Sequence, residues 1–132
     1  NSAVACIVDQ KPQILENAEG SVLTPSIVVF ERQKGGPNVG ILVGDAARQR
    51  LLELEKRQRE PDPKGFAAFA SVKRLMGRNL KNLAQETERT KLLSLDPEAS
   101  RAKNSLELRC GPLGRNISPA EVSALVVRKM LL

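Results

Sequence analysis

A chain of 132 residues, 41% of them apolar, suits one domain with a packed core, and an aromatic content of 2% makes that core aliphatic. It has no histidine, and only Cys6 and Cys110 carry thiols, which excludes a Cys/His zinc site, a Ser-His-Asp triad and a histidine general base. The net charge of +6, from 21 Lys+Arg against 15 Asp+Glu, draws a chain toward phosphates or anionic lipid without naming a partner.

Residues 3–8 (AVACIV) form a continuous run of small and β-branched side chains, the pattern of a strand covered on both faces. Residues 9–12 read as a turn, 13–15 as a short return strand and 16–20 as a second turn. Pro25 is placed to open the strand of residues 26–30, Ser-Ile-Val-Val-Phe. Residues 34–38 are a loop, and 39–43 a further strand ending at Gly44. Such short connections imply an antiparallel meander.

The pattern then changes period. From Asp45, a plausible N-cap, apolar residues at Ala46, Ala47, Leu51, Leu52 and Leu54 are spaced for a helix. Residues 53–60 alternate in charge like a solvated helical face, and Pro61-Asp62-Pro63 ends it. Residues 66–76 are expected to form a second helix. Its stripe would be Phe66, Phe69, Val72 and Met76, with Gly77 at the C′ position.

Beyond it the signal weakens. Residues 79–95 suit a helix, 106–110 alternate like a strand, and 111–114 form a turn. Ser118-Pro119-Ala120-Glu121 is a capping box with proline at the first helical position. The helix it opens carries Val122, Leu125, Val126 and Met130. No run of 18 apolar residues predicts a membrane helix. Two well-separated cysteines read as buried thiols, not a disulfide framework, in a reducing compartment. The chain does not open with Met, so a processed or partial chain is expected.

Five motifs then occur in order: Leu15 to Gly20 (LENAEG), Thr24-Pro25-Ser26, Leu42-Val43-Gly44, Lys73 to Arg78 (KRLMGR), and Ile117 to Glu121 (ISPAE) with Arg128-Lys129-Met130. Together they resemble the amino-terminal ATPase domain of the seventy-kilodalton heat-shock chaperones, the DnaK type, in the bacterial and organellar branch. The resemblance implies an α/β fold, here an α+β fragment of an actin-like, ribonuclease-H-like ATPase lobe. Residues 1–44 would be the opening β-meander of subdomain IA. Residues 45–132 would be the helical and mixed part resembling subdomain IB, so that the chain is one incomplete domain.

The resemblance also implies site residues. Lys73 would reach the phosphates and assist hydrolysis, Arg74 would relay the nucleotide state, and Asn1 would stand at the tip of a phosphate-binding hairpin. From spacing alone, Lys73 reads first as a solvent-facing cation at a helix end. The implied ligand is ATP or ADP with Mg. Implied partners are unfolded polypeptide, a J-domain co-chaperone and a nucleotide exchange factor. The implied compartment is an organellar matrix, mitochondrion or plastid, or the bacterial cytoplasm.

Departures limit these expectations. The family's Asp-Leu-Gly-Thr-Thr segment is absent, Val22 replaces an arginine, residues 60–65 replace an Asn-Pro-x-x-Thr region, and Arg78-Asn79 replaces Arg-Arg. A complete ATP site is therefore not expected from these residues alone, nor nucleotide binding by this fragment. Two other readings follow. One is a truncated, catalytically incomplete lobe serving as a structural subunit of an organellar ribosome or another RNA-containing assembly, motivated by the net charge and by Arg48, Arg50, Arg57 and Arg59. The other is a nucleotide-independent docking module.

Overall fold

The computed structural model describes residues 2–16, 20–33, 36, 38–58, 60–70, 72–78 and 95–131. Strands β1 (Val4–Val8) and β2 (Lys11–Leu15) pair antiparallel into a hairpin. The turn is shorter than expected: Asp9 and Gln10 alone make it, at φ 49° and 66°, the left-handed backbone that a two-residue hairpin needs. Lys11 and Pro12 already belong to β2.

The expectation that residues 3–8 are covered on both faces is overturned. Ile7 is 78% exposed, and Val8 and Ile14 are exposed with it. Among the described residues β1 has β2 as its only strand neighbour, and the tip of the ribbon is exposed on both strands.

Double cover belongs instead to β3 (Ile27–Arg32), the centre of a three-stranded antiparallel sheet ordered β4-β3-β5. β4 is Val39–Val43 and β5 is Phe66–Ala70. Val28, Val29 and Phe30 are all buried. Val28 and Phe30 join the main core, while Val29, of opposite parity along the strand, faces away from it. Helix α1 (Asp45–Lys56) packs against β3 and β4 and buries Ala47.

Two expectations around this sheet need correction. The N-cap of α1 is Gly44 at φ 77°, not Asp45. Asp45 is already helical, and its carboxylate pairs with Arg48 at 2.6 Å instead of capping the first turn. A side chain at Gly44 would meet Thr24 Cγ2 at 3.1 Å in a backbone conformation that disfavours it, so glycine is required there.

The second helix is also not observed. Residues 66–70 form β5, in register with β3 from Glu31↔Phe66 to Ile27↔Ala70, and a 3₁₀ turn (Val72–Leu75) follows. Alanine and the three-residue Phe spacing favour a helix locally. The pairing edge of β3 offers ladder hydrogen bonds and core contact for Phe69, and this non-local gain prevails.

Helix α2 (Pro97–Lys103) follows, then the hairpin of β6 (Leu108–Cys110) and β7 (Arg115–Ile117), joined through a 3₁₀ turn (Gly111–Leu113) with Gly114 at φ 65°. The helix expected over residues 79–95 lies outside the described residues, apart from Leu95, which bridges Leu108. Helix α3 (Pro119–Leu131) closes the described chain. Its capping box is formed as expected: the Glu121 N–H donates to Ser118 Oγ at 3.2 Å, and the Ser118 N–H donates to Glu121 Oε1 at 3.3 Å.

The core unites Val28, Phe30 and Phe69 from the sheet with Leu106, Leu108, Cys110 and Ile117 from the β6–β7 region, and Val122 and Val126 from α3. It is aliphatic apart from one edge-to-face pair, Phe30 and Phe69, with ring centroids 5.9 Å apart and planes at 78°. The architecture is mixed α/β, with antiparallel strands opening the chain, as expected. No helix among the described residues is long and apolar enough to cross a membrane.

Candidate functional site

The stretch that carries Lys73 and Arg74 is fixed from below. Their backbone forms the middle of the 3₁₀ turn Val72–Leu75. Side chains at i and i+3 of such a turn lie along one edge, and here those residues, Val72 and Leu75, are 6% and 4% exposed within the core. The turn packs on α3. Its end is closed by the Arg78 N–H, which donates to the Leu75 carbonyl at 3.2 Å across Gly77 at φ 73°. Gly77 therefore holds the left-handed terminal position that its sequence context predicts, after a shorter helix. The Arg78 carbonyl accepts from the Leu106 N–H at 3.3 Å, tying the stretch to the strand region beyond α2.

The anchor differs from the expected stripe. In strand β5, Phe66 and Phe69 have opposite parity and leave the backbone on opposite faces. Phe69 enters the core against Phe30, whereas Phe66 is half-buried outside it. Leu75 is buried where Met76 was expected, and Met76 is 47% exposed. The side chains of Lys73 and Arg74 lie outside the described residues, and so does Asn1. The described geometry places the two cations on one anchored turn and does not relate them to Asn1.

Next to Asn1, Ser2 is held firmly. Its N–H and carbonyl exchange hydrogen bonds with Thr24, both at 2.7 Å, and Ser2 Oγ lies 2.9 Å from Ser26 Oγ. The Thr24-Pro25-Ser26 motif thus fixes the start of β1 against the start of β3 and crowds Gly44. Two sequence motifs, Thr24-Pro25-Ser26 and Leu42-Val43-Gly44, meet there.

A second polar centre was missed in the sequence. Asp96 caps α2: Oδ1 accepts from the Ala99 N–H at 3.2 Å, and Oδ2 accepts from Asn116 Nδ2 at 2.9 Å. The Asn116 bond first, then the Ala99 amide, hold the Asp96 carboxyl below its ordinary value. Buried Ser100 donates to the Asp96 carbonyl at 2.6 Å and accepts from the Glu107 N–H at 2.9 Å. The signal was present in Asp96-Pro97-Glu98: a capping carboxylate, proline at the first helical position and an acid in the first turn. These bonds close α2 onto the β6–β7 hairpin, and their chemistry is structural.

The basic helix is largely neutralised. α1 carries Arg48, Arg50 and Lys56 against Asp45, Glu53 and Glu55, three charges of each sign. Arg50 makes a two-pronged pair with Glu31, at 2.9 and 2.6 Å, and the hydrogen bond to Glu31 leads the upward shift of its pKa. Arg57 pairs with Glu53 at 3.0 Å, and Arg48 with Asp45. Arg59 lies outside the described residues. Three of the four arginines that motivated an RNA-binding reading thus have carboxylate partners within the chain.

Both cysteines are free thiols. Burial pushes the Cys110 thiol above its ordinary value, which keeps it protonated and unreactive. Among the described residues no group of three or more cysteine or acidic side chains is placed to hold a metal ion.

Comparison with known proteins matches residues 1–131 to the family model described as Hsp70 protein. The chain is 34% identical over 131 residues to heat shock 70 kDa protein 7, chloroplastic, of Arabidopsis thaliana, covering 99% of this chain and 16% of that protein. It is equally similar, with the same coverage, to chaperone protein dnaK3 of Thermosynechococcus vestitus. It is 32% identical to chaperone protein dnaK of Phaeodactylum tricornutum, covering 99% of this chain and 18% of that one. The chain thus spans about a sixth of the length of the curated relatives it matches.

Proposed function

Because the chain belongs to the Hsp70 family, we propose that it forms the opening part of a nucleotide-binding domain that couples ATP binding and hydrolysis to protein folding. The observation that carries this reading is the family match over residues 1–131, which runs through the anchored Lys73–Arg78 stretch. In this reading residues 1–44 correspond to the meander of subdomain IA and residues 45–132 to most of subdomain IB. β5 pairs with β3 across that boundary, so the two parts would share one sheet.

Phosphoryl transfer needs charge placed against the transferring group more than it needs a nucleophilic side chain. A chain without histidine loses nothing by that requirement. Lysine suits the task as a compact charge on a flexible stem. Buried Phe69, Val72 and Leu75 fix where the Lys73 stem starts, a rigid base of the kind such positioning requires. Arg74, on the same turn, would report the nucleotide state to the rest of the domain, and Asn1 would lie beside the phosphates. Mg with ATP or ADP would supply the charge-neutralising metal and the reacting phosphate, held mostly by parts of the protein outside this chain.

The partners that follow are unfolded polypeptide, a J-domain co-chaperone and a nucleotide exchange factor. The compartment is a plastid or the bacterial cytoplasm, following relatives named as chloroplastic or drawn from cyanobacteria. The mitochondrial expectation gains no support from them, and the paired arginines of α1 weaken the motive for an RNA-containing assembly.

The test is single-turnover ATP hydrolysis by the full-length protein. Lys73→Ala is expected to slow the chemical step by about 10²–10³-fold, the usual effect of removing one transition-state charge contact, with nucleotide affinity changed far less. Hydrolysis at the unmutated rate would remove Lys73 from the site.

A further inference from the structure

Among the described residues, β5 lies at the edge of its sheet. The Arg32 N–H donates to the Gly65 carbonyl at 2.8 Å, which sets the alternation along the strand. Ala67 and Phe69 point their backbone groups at β3, while Phe66, Ala68 and Ala70 turn theirs outward. Among the described residues, those outward groups have no backbone partner. Sheet edges are usually guarded by a charge, a proline or a bulge. This edge presents Ala68 and Ala70, small and exposed.

A groove of about 490 Å³ runs beside it, with Pro63, Lys64, Phe66, Ala68, Arg109 and Gly111 among its lining residues. Gly111 lies so close to Pro63 that a Cβ there would overlap the Pro63 carbonyl, so the turn Gly111–Leu113 packs directly against the residues that lead into β5. The groove combines open main-chain donors and acceptors, an aromatic floor and two cations with no acidic lining residue.

We propose that this edge takes up an extended acidic polypeptide segment as an additional strand. Main-chain pairing with residues 66, 68 and 70 supplies affinity, and alternate side chains meet Phe66 and the cations. Charge selects the occupant. A second copy pairing edge to edge would bring its own Lys64 and Arg109 into the interface, raising the positive charge. A peptide with carboxylates at alternate positions neutralises it. Nucleic acid satisfies the cations but cannot complete a main-chain ladder.

The probe is a fluorescein-labelled peptide alternating valine with aspartate, compared with one alternating valine with lysine, titrated into the full-length protein. Hydrogen exchange is read over residues 66–70, so that protection there separates this edge from any other peptide site. The acidic peptide is expected to bind, to slow exchange of the Phe66, Ala68 and Ala70 amides, and to weaken as salt rises. Arg109→Glu is expected to weaken it about tenfold or more. Ala68→Pro removes only an outward N–H and leaves the ladder with β3 intact, so it is expected to abolish binding. Absence of protection at 66–70 with the acidic peptide, equal protection there by the lysine peptide, or unchanged protection there in either variant would each overturn the proposal.

Discussion

β1 and β3 carry nearly the same local message and meet different fates. Both are short runs of β-branched and small apolar residues, Val-Ala-Cys-Ile-Val and Ile-Val-Val-Phe, and both form strands. Yet Ile7 in β1 is 78% exposed, whereas Val28 and Val29 in β3 are fully buried. The difference lies in partners remote in sequence. β3 has a strand on each side, α1 on one face and the core on the other. β1 has β2 alone. A continuous apolar run therefore specifies extended backbone, and the layers packed on it decide whether that run is a core.

The largest expected effect tests the buried side. Phe30 is 1% exposed and makes the edge-to-face contact with Phe69. Phe30→Ala removes that ring and leaves a cavity where several elements meet, and is expected to cost about 3–5 kcal/mol of stability in urea unfolding. A loss below about 1 kcal/mol would mean that the core collapses around the gap, and β3 would then not be its centre.

How much of this was legible follows the same division. The strands around Thr24-Pro25 and before Gly44, the capping box at Ser118 and the turn residues all act locally, and the sequence shows them plainly. The stretch 66–76 misleads because its local preference is helical while its fate is set by the edge of β3, some 40 residues earlier in the chain. Asp96-Pro97-Glu98 was a readable helix start, obscured by the weak patterning around it. The hairpin β6–β7 is too short for periodicity to reveal, at three residues per strand. Spacing alone gave Lys73 no more than a cation at a helix end. Its candidacy came from the ordered motifs, because phosphate contact leaves no periodic mark in the sequence. The backbone under Lys73 is now explained by Phe69, Val72 and Leu75, residues whose burial no local pattern ranked above Phe66 and Met76.

An intermediate effect is expected where the cover over the core is pinned. Ser100 is 1% exposed and joins the Asp96 carbonyl to the Glu107 N–H. Ser100→Ala deletes both bonds and strands a buried N–H, for an expected loss of about 1–3 kcal/mol. Ser100→Gly would add backbone entropy to the same loss and is the less clean variant. Amide exchange at Glu107 should accelerate in step with the loss. Unchanged exchange there would assign the stability change to helix propensity and not to the bridge.

The smallest expected effect tests the exposed side. Ile7 pairs with Pro12 across the hairpin and projects into solvent. Ile7→Thr keeps a β-branched strand former and removes only apolar surface that is already wet. Its effect on stability is expected within about ±0.5 kcal/mol, as for surface substitutions away from special features. Measured beside Phe30→Ala in the same protein, it gives the contrast between the two strands as a difference of several kcal/mol. The hairpin also carries exposed Val8 and Ile14, so a small loss at Ile7 would leave a wet apolar patch at its tip. A loss above about 1 kcal/mol in the full-length protein would instead place another part of the molecule over that tip, since burial of Ile7 is what such a loss requires. In that case β1 would be the covered strand its sequence describes, with its cover supplied by residues beyond those described.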